Sequence, residues 1–292
     1  MIILIDQSAF ENNNPDLLPP TALYGMAYLV QHSYKLKFDV SALSPEQQNL
    51  LENEGIISTD GKEEAIIQKN GEFSFISEGT LLASGNSWKE LAQNILFPVR
   101  KATIKRDTKE TKIDVSINLD GTGKSTIKTG IHFFDHMLDQ IARHGLIDID
   151  LTCNGDLEVD EHHTIEDTAI ALGQTIRQAI SDNKAGIQRY GFVLPMDEAQ
   201  ATVAIDLSDR PYLVWDVPLK REYVGDFPTE MLEHFFYTLA MNAKATLHVK
   251  ADGKNEHHVI EAVFKGFAKA LRFSISRNER IMGILPSTKG TI

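Results

Sequence analysis

"DEHHTIEDTAIALG" (160–173) and "NEHHVIEAVFKGF" (255–267) carry the same figure, His-His-x-x-Glu, with the first histidines 95 residues apart. On an α-helix, residue i+4 lies about 40° round from i, and i+1 about 100°. Each figure therefore sets two imidazoles and a carboxylate along one arc at a helix start: His162, His163 and Glu166, then His257, His258 and Glu261. After the first, Ile165, Ala169, Leu172, Ile176 and Ile180 follow at three- and four-residue steps, the mark of an amphipathic helix.

The flanks repeat as well. Before the first figure, "TKIDVSINLDGTGKSTIKTG" (111–130) alternates about Asp120-Gly121 and reads as a hairpin. "HFFDHMLDQIARHG" (132–145) then reads as a helix with Gly145 as its stop, and "LIDIDLTC" (146–153) as a strand. Before the second, "ATVAIDLSDRPYLVWDVPL" (201–219) reads as two strands about a turn. "PTEMLEHFFYTLAMNA" (228–243) follows as a helix, and "ATLHVKA" (245–251) as a strand. Each half is thus strand, strand, helix, strand, helix, with a histidine in its first helix: His136 and His234. His136 precedes His162 by 26 residues, and His234 precedes His257 by 23. The chain carries an internal duplication.

Six of the ten histidines fall on matching places in the two halves. His32, His132, His144 and His248 have no such match and read as structural. Imidazole plus carboxylate suits a divalent Mn, Fe, Co, Ni or Zn ion, and the lack of nearby thiolates argues against a structural zinc. The plainer alternative, histidines capping helices or lying on a solvated face, explains one copy of the figure better than two.

Composition narrows the function classes. The 292 residues suffice for one large domain or two modest ones, and the 42% apolar content supports a core. A net charge of −12 argues against general nucleic-acid binding, which needs a basic surface. The single Cys153 excludes a disulfide within the chain, so a reducing cytoplasm is expected. The opening "MIILIDQSAF" reads as a buried strand rather than a signal peptide, and no apolar run has the length of a membrane span. Arg189, Arg210, Lys265 and the loop "PSTKG" (286–290) offer the donors a phosphate needs, although sequence alone does not bring them together.

From about Arg100 to Ile292 the chain closely resembles imidazoleglycerol-phosphate dehydratases. The resemblance rests on "FFDHMLDQIARHG", "DEHHTIEDTAIALGQ", "YGFVLPMDEA", "FPTEMLEHFF", "GKNEHHVIEAVFKGFAKALR" and "LPSTKG". The departures are small: "SDRP" for the family's Ser-Gly-Arg-Pro, and "PSTKG" for Pro-Ser-Ser-Lys-Gly. The resemblance implies an α+β fold of duplicated β-β-α-β-α halves, with helices packed on four-stranded sheets. It implies assembly into twenty-four subunits, with two Mn ions per site between subunits. It also implies dehydration of imidazole glycerol phosphate, a small phosphorylated imidazole, to imidazole acetol phosphate in histidine biosynthesis. The proton lost sits on a carbon not next to a carbonyl, so the imidazole ring must take the charge, which is the reason for metals.

Carried over to matching positions, the metal ligands are His136, His162, His163, Glu166, His234, His257, His258 and Glu261. Phosphate contacts are Arg189, Arg210, Lys265, Ser287 and Lys289, while Glu110, Gln140 and Asp197 match positions near the substrate. Glu110, Glu166 and Glu261 are the carboxylates expected in the chemistry. The dehydratase domain spans 99–292, in repeats of about 99–182 and 183–292.

Residues 1–98 pose a separate question. Some relatives carry an N-terminal histidinol phosphatase of the haloacid-dehalogenase type, and this region faintly resembles a shortened one through "ILID" and "YLVQHSYKLKF". That family's Asp-x-Asp-x-Thr nucleophile motif is absent, since Asp6 is followed by Ser8. A small, degenerate α/β remnant without phosphatase activity is expected. The rival readings are a bifunctional enzyme with a live phosphatase and a non-catalytic metal-binding assembly protein.

Overall fold

The computed structural model describes residues 1–10, 12, 14, 16–58, 61–181, 186–278, 280, 281, 284, 287 and 288. The chain divides into two compact units, Met1–Pro98 and Val99–Ile292.

The first unit is a five-stranded sheet of β1 (Ile2–Ile5), β2 (Lys35–Phe38), β3 (Ala65–Asn70), β4 (Glu72–Ser77) and β5 (Thr80–Gly85), in the order β2-β1-β3-β4-β5. β1 lies between β2 and β3 and is parallel to both, while β3, β4 and β5 are antiparallel. Its helices are α1 (Ala22–Gln31), α2 (Pro45–Asn53) and α3 (Trp88–Leu96). Ser44 opens α2 with a capping box, and Ser87 caps α3 through Glu90 N–H. Ile3, Leu29, Leu36, Ile67, Phe73 and Trp88 form this unit's own core, and the Trp88 indole donates to the Ala9 carbonyl at 3.1 Å.

The second unit is built twice over. Its first half runs β6 (Lys101–Asp107), β7 (Thr111–Asn118), β8 (Ser125–Lys128), α4 (His132–Gly145), β9 (Asp148–Gly155) and α5 (His162–Ile180). Its second half runs β10 (Tyr190–Met196), β11 (Ala199–Asp206), β12 (Tyr212–Asp216), a two-residue pair β13 (Tyr223–Val224) and β14 (Phe227–Pro228), α6 (Glu230–Ala243), β15 (Thr246–Asp252) and α7 (Glu256–Ser274). The sheets have equivalent orders, β6-β7-β9-β8 and β10-β11-β15-β12, and in each the last strand alone is parallel to its neighbour. The structure therefore adds a leading strand, β6 or β10, to each half as read from sequence.

The Asp120-Gly121 hairpin is not formed. β7 pairs with β6 and β9, and β8, which follows β7 directly in the chain, lies beyond β9; the crossover through α4 then brings β9 between them. Gly121 is needed for a different reason: a Cβ there would lie 2.5 Å from the Asp148 backbone nitrogen. Nor is Gly145 the stop of α4. It belongs to the last turn, and Leu146 takes the left-handed conformation (φ 51°), as Lys244 does after α6 (φ 55°).

Alternation explains why each sheet buries one face. Ile113, Val115 and Ile117 of β7 stand opposite Cys153, Leu151 and Ile149 of β9. Ala201, Val203 and Ile205 of β11 stand opposite Ala251, Val249 and Leu247 of β15. α5 covers the first sheet and α7 the second. The shorter helices cross over: α4 packs on α7, and α6 on α5. Gly173 permits the second crossing, since a Cβ there would meet the Leu239 carbonyl oxygen at 2.8 Å.

Candidate metal centres

The helix crossings decide which histidines meet. His136 on α4 joins His257 and Glu261 on α7, and His234 on α6 joins His162 and Glu166 on α5. Each cluster thus combines the lone histidine of one half with the first histidine and the glutamate of the other half's figure. In each, the three ligand atoms lie within 4.8 Å of one another. Glu261 Oε2 stands 3.2 Å from His257 Nε2 and 4.0 Å from His136 Nε2. Glu166 Oε1 stands 2.9 Å from His234 Nε2, and its Oε2 4.0 Å from His162 Nε2. Adjacent donors on a six-coordinate ion at about 2.1 Å stand about 3 Å apart, so both clusters have the spacing and the nitrogen-oxygen donor set of a divalent metal site.

The second histidine of each pair turns to other carboxylates. His163 Nδ1 is 3.1 and 3.2 Å from the two oxygens of Asp156, and its Nε2 is 3.9 Å from Glu110. His258 Nδ1 is 2.9 Å from Glu198, and its Nε2 is 3.7 Å from Asp197. The three-group arc read from sequence is therefore split: the second histidine, about 100° round from the first, parts from the first histidine and the glutamate. The hydrogen bond that His163 donates to Asp156 pushes the His163 pKa up, and that from His258 to Glu198 does the same for His258. Glu198 is in turn held down to about 2, first by His258 and then by backbone N–H groups.

The two clusters differ in surroundings. Glu261 is buried, and burial opposes its charge, yet the Lys265 ammonium 2.7 Å away, with the imidazoles, holds its pKa below the usual range. Glu166 is half-buried, and the position four residues on is Ile170. Gln140 is buried on α4 and donates its amide N–H to the His136 carbonyl at 3.1 Å.

The expected phosphate groups are dispersed within one chain. Arg189, just before β10, pairs with Asp206 at 2.7 Å, and Arg210 is exposed just before β12. Lys265 reaches Met196, at the opposite end of β10. A strand of seven residues spans about 20 Å, so Lys265 and Arg189 do not meet in one copy. Ser287 is half-buried, and Lys289 lies outside the described residues.

Sequence reasoning missed Asp156 and Glu198. Glu198 had a visible signal, an Asp-Glu pair in a tight turn before an alternating strand. Asp156 had none beyond following "CNG". Also missed was Asp167, buried beside Glu166, which accepts from Arg106 at 2.8 Å and Thr111 at 2.5 Å and ties α5 to β6 and β7.

Among the described residues no helix is long and apolar enough to cross a membrane. The family model for imidazoleglycerol-phosphate dehydratase matches residues 129–271. The chain is 52% identical over 217 residues to a histidine biosynthesis bifunctional protein HisB of Spirosoma linguale, covering 74% of this chain and 56% of that protein. It is 53% identical over 195 residues to an imidazoleglycerol-phosphate dehydratase of Marinobacter nauticus, covering 66% of this chain and 98% of that one. The chain thus spans little more than half the length of the bifunctional relatives it matches. Among solved structures, the imidazoleglycerol-phosphate dehydratase of Staphylococcus aureus aligns with a TM-score of 0.56 at 35% identity, over 61% of this chain and 99% of that one. That of Pyrococcus furiosus, in complex with (S)-C348, aligns with a TM-score of 0.55 at 35% identity, over 65% and 100%. With one relative covered almost end to end and the duplicated sheets and helices matched in solved members, this chain belongs to the imidazoleglycerol-phosphate dehydratase family.

Proposed function

We propose that this chain is a metal-dependent hydro-lyase that converts imidazole glycerol phosphate to imidazole acetol phosphate in histidine biosynthesis, in the cytoplasm. The observation that carries the reading is the pair of His-His-Glu clusters, each assembled across the two halves. Mn is the ion the family resemblance implies, two per active site. Bound in these clusters, a divalent ion supplies Lewis-acid polarisation of the substrate's imidazole and hydroxyl groups.

The chain's own residues do the rest. His136, His257 and Glu261 form one holding set, and His162, His234 and Glu166 the other. His163 and His258 stand outside both sets with Nε2 turned away from their Nδ1 partners, which suits ligands offered to a neighbouring copy. The separation of Lys265 from Arg189 favours the same arrangement: a phosphate held by Arg189, Arg210, Lys265, Ser287 and Lys289 needs more than one chain. A large homo-oligomer, twenty-four subunits by resemblance, fits this need. Glu110 and Asp197, exposed and facing the outward imidazoles, are the groups best placed to hold or move a proton at the substrate.

For residues 1–98 we read a degenerate haloacid-dehalogenase-like remnant. Asp6 follows the interior strand β1, but its carboxylate is engaged by the Ser8 hydroxyl at 2.6 Å and the Ser8 N–H at 2.9 Å. Ser8 also accepts from Lys69 N–H at 3.0 Å. A hydroxyl so placed lacks the acidity of the second aspartate that phosphoryl transfer by this chemistry uses.

Purified protein supplied with Mn should dehydrate imidazole glycerol phosphate, and chelation should stop it. Full turnover after complete metal removal would sink the reading. Metal bound without turnover would favour the assembly-protein alternative.

A further inference from the structure

Each outward histidine meets two carboxylates, one at each ring nitrogen, and the contacts at Nδ1 are the closer. His163 Nδ1 lies 3.1 Å from Asp156, against 3.9 Å from Nε2 to Glu110. His258 Nδ1 lies 2.9 Å from Glu198, against 3.7 Å from Nε2 to Asp197. An ionised carboxylate only accepts hydrogen bonds, so the ring nitrogen facing it at that distance carries the hydrogen. The lone pair is then left on Nε2. The two halves reach this result by different routes. Asp156 follows the end of β9, whereas Glu198 sits in the turn between β10 and β11.

We propose that Asp156 and Glu198 are positioning residues, which hold His163 and His258 in the Nδ1–H tautomer and so present Nε2 as a metal ligand. This rests on the metal-dependent reading above and adds to it the groups that make the third imidazole of each set competent. Carboxylates in this role fix the ring orientation and raise the basicity of the ligating nitrogen, and their loss typically weakens metal affinity about 10–100-fold.

Glu198 gives the sharper test because its two oxygens are separately committed. Oε1 accepts from Asn255 N–H at 2.7 Å, and Oε2 faces His258 Nδ1. In Glu198→Gln the amide oxygen keeps the Asn255 N–H, which turns the amide NH2 toward Nδ1. His258 Nδ1 must then accept, and its hydrogen moves to Nε2. The near-isosteric change is therefore expected to be as damaging as Glu198→Ala. Asp156 presents both oxygens to Nδ1, so in Asp156→Asn the amide oxygen can take the bond and the loss should be the smaller of the two.

Mn affinity measured by chelator competition on the full-length protein, with mass checked by light scattering, should fall about 10–100-fold in Glu198→Gln and Asp156→Ala. In the His163→Ala background, Asp156→Ala should weaken binding no further, because it acts only through that ring. Imidazole 15N shifts of the metal-free protein supply an independent readout. They should place the hydrogen of His163 and His258 on Nδ1, and move it to Nε2 at His258 alone in Glu198→Gln. Wild-type affinity in Glu198→Gln, additive losses in the double variant, or wild-type rings protonated on Nε2 alone would each overturn the proposal. A wild-type protein that binds no metal yet shows the expected tautomers would instead fail the reading of the preceding section.

Discussion

The cluster between α4 and α7 and the cluster between α5 and α6 hold the same three donors in the same order along equivalent elements, yet they lie in different electrostatic settings. Glu261 is buried and paired with Lys265, while Glu166 is half-buried with Ile170 one turn on. The first half, in turn, has buried Asp167 tied to Arg106, where the second has Ala262. Duplication has kept what helix packing dictates, namely which side chains meet. It has left free what the donors' neighbours carry. Equivalence of ligands therefore does not imply equivalence of the two sites.

The largest effect tests the shared part. Removing the lone histidine of either cluster, by His136→Ala or His234→Ala, should halve the metal bound per chain. Affinity at the affected site should fall more than about 100-fold, beyond the range for outer carboxylates. Elemental analysis of both variants checks it. A loss of both ions in one variant and neither in the other would break the equivalence of the two crossings.

Next in size is a change that touches only the first half. Asp167→Ala leaves Arg106 without its carboxylate and frees the Thr111 hydroxyl, loosening α5 from β6 and β7. A fully buried pair loses about 3–5 kcal/mol when one partner is removed, but Arg106 is one-third exposed, so about 2 kcal/mol is expected. In a unit of this size that lowers Tm by roughly 4–8 °C. Calorimetry reads it, and an unchanged Tm would mean that the pair contributes nothing to the packing of α5.

Much of this was legible in sequence, for reasons that also mark the limit. The helices of the second unit announce themselves through three- and four-residue apolar steps, and the paired figures announce the duplication. Strand order is another matter. Asp120-Gly121 has the chemistry of a hairpin turn, yet β8 pairs in parallel beyond β9, because a local turn signal carries no information about what the crossover through α4 will place between two strands. β6 escaped notice because "KATIKRD" at a sheet edge alternates with charges rather than apolar residues. In the site, the histidines that cluster were visible but not their grouping. His162 was read with His163, its neighbour in sequence, whereas it meets His234, 72 residues away, through the α5–α6 contact.

A smaller effect sharpens the electrostatic contrast. The Lys265 ammonium repels a dication beside Glu261 and competes for its oxygen. Lys265→Met should therefore tighten metal binding at the α4–α7 cluster by about tenfold, ~1.4 kcal/mol, and leave the α5–α6 cluster unchanged. The same change should weaken substrate binding if Lys265 holds the phosphate. Metal titrations of the wild type should show two classes of site that converge in the variant. Two indistinguishable classes in the wild type would mean that Lys265 does not act on the ion.

The smallest expected effect is none, and it asks whether the contrast belongs to the second unit alone. Every proposed ligand, every proposed positioning carboxylate and Lys265 lie after residue 100, and the second unit has its own continuous core, distinct from that of Met1–Pro98. The Marinobacter nauticus relative, covered over 98% of its length by 195 aligned residues, corresponds in size to that unit alone. A chain of residues 99–292 should therefore fold and bind metal in the same two classes, with the same response to Lys265→Met. Residues 1–98 should add no hydrolysis of histidinol phosphate, because Ser8 engages Asp6 without supplying the acid that would protonate a leaving alcohol. Two measurements bear on this: metal titration of the truncated chain, and phosphate release by the full-length protein with Mg. Merged classes in the first would show that the N-terminal unit shapes the clusters. Release in the second that disappears in Asp6→Asn would make that unit an enzyme in its own right.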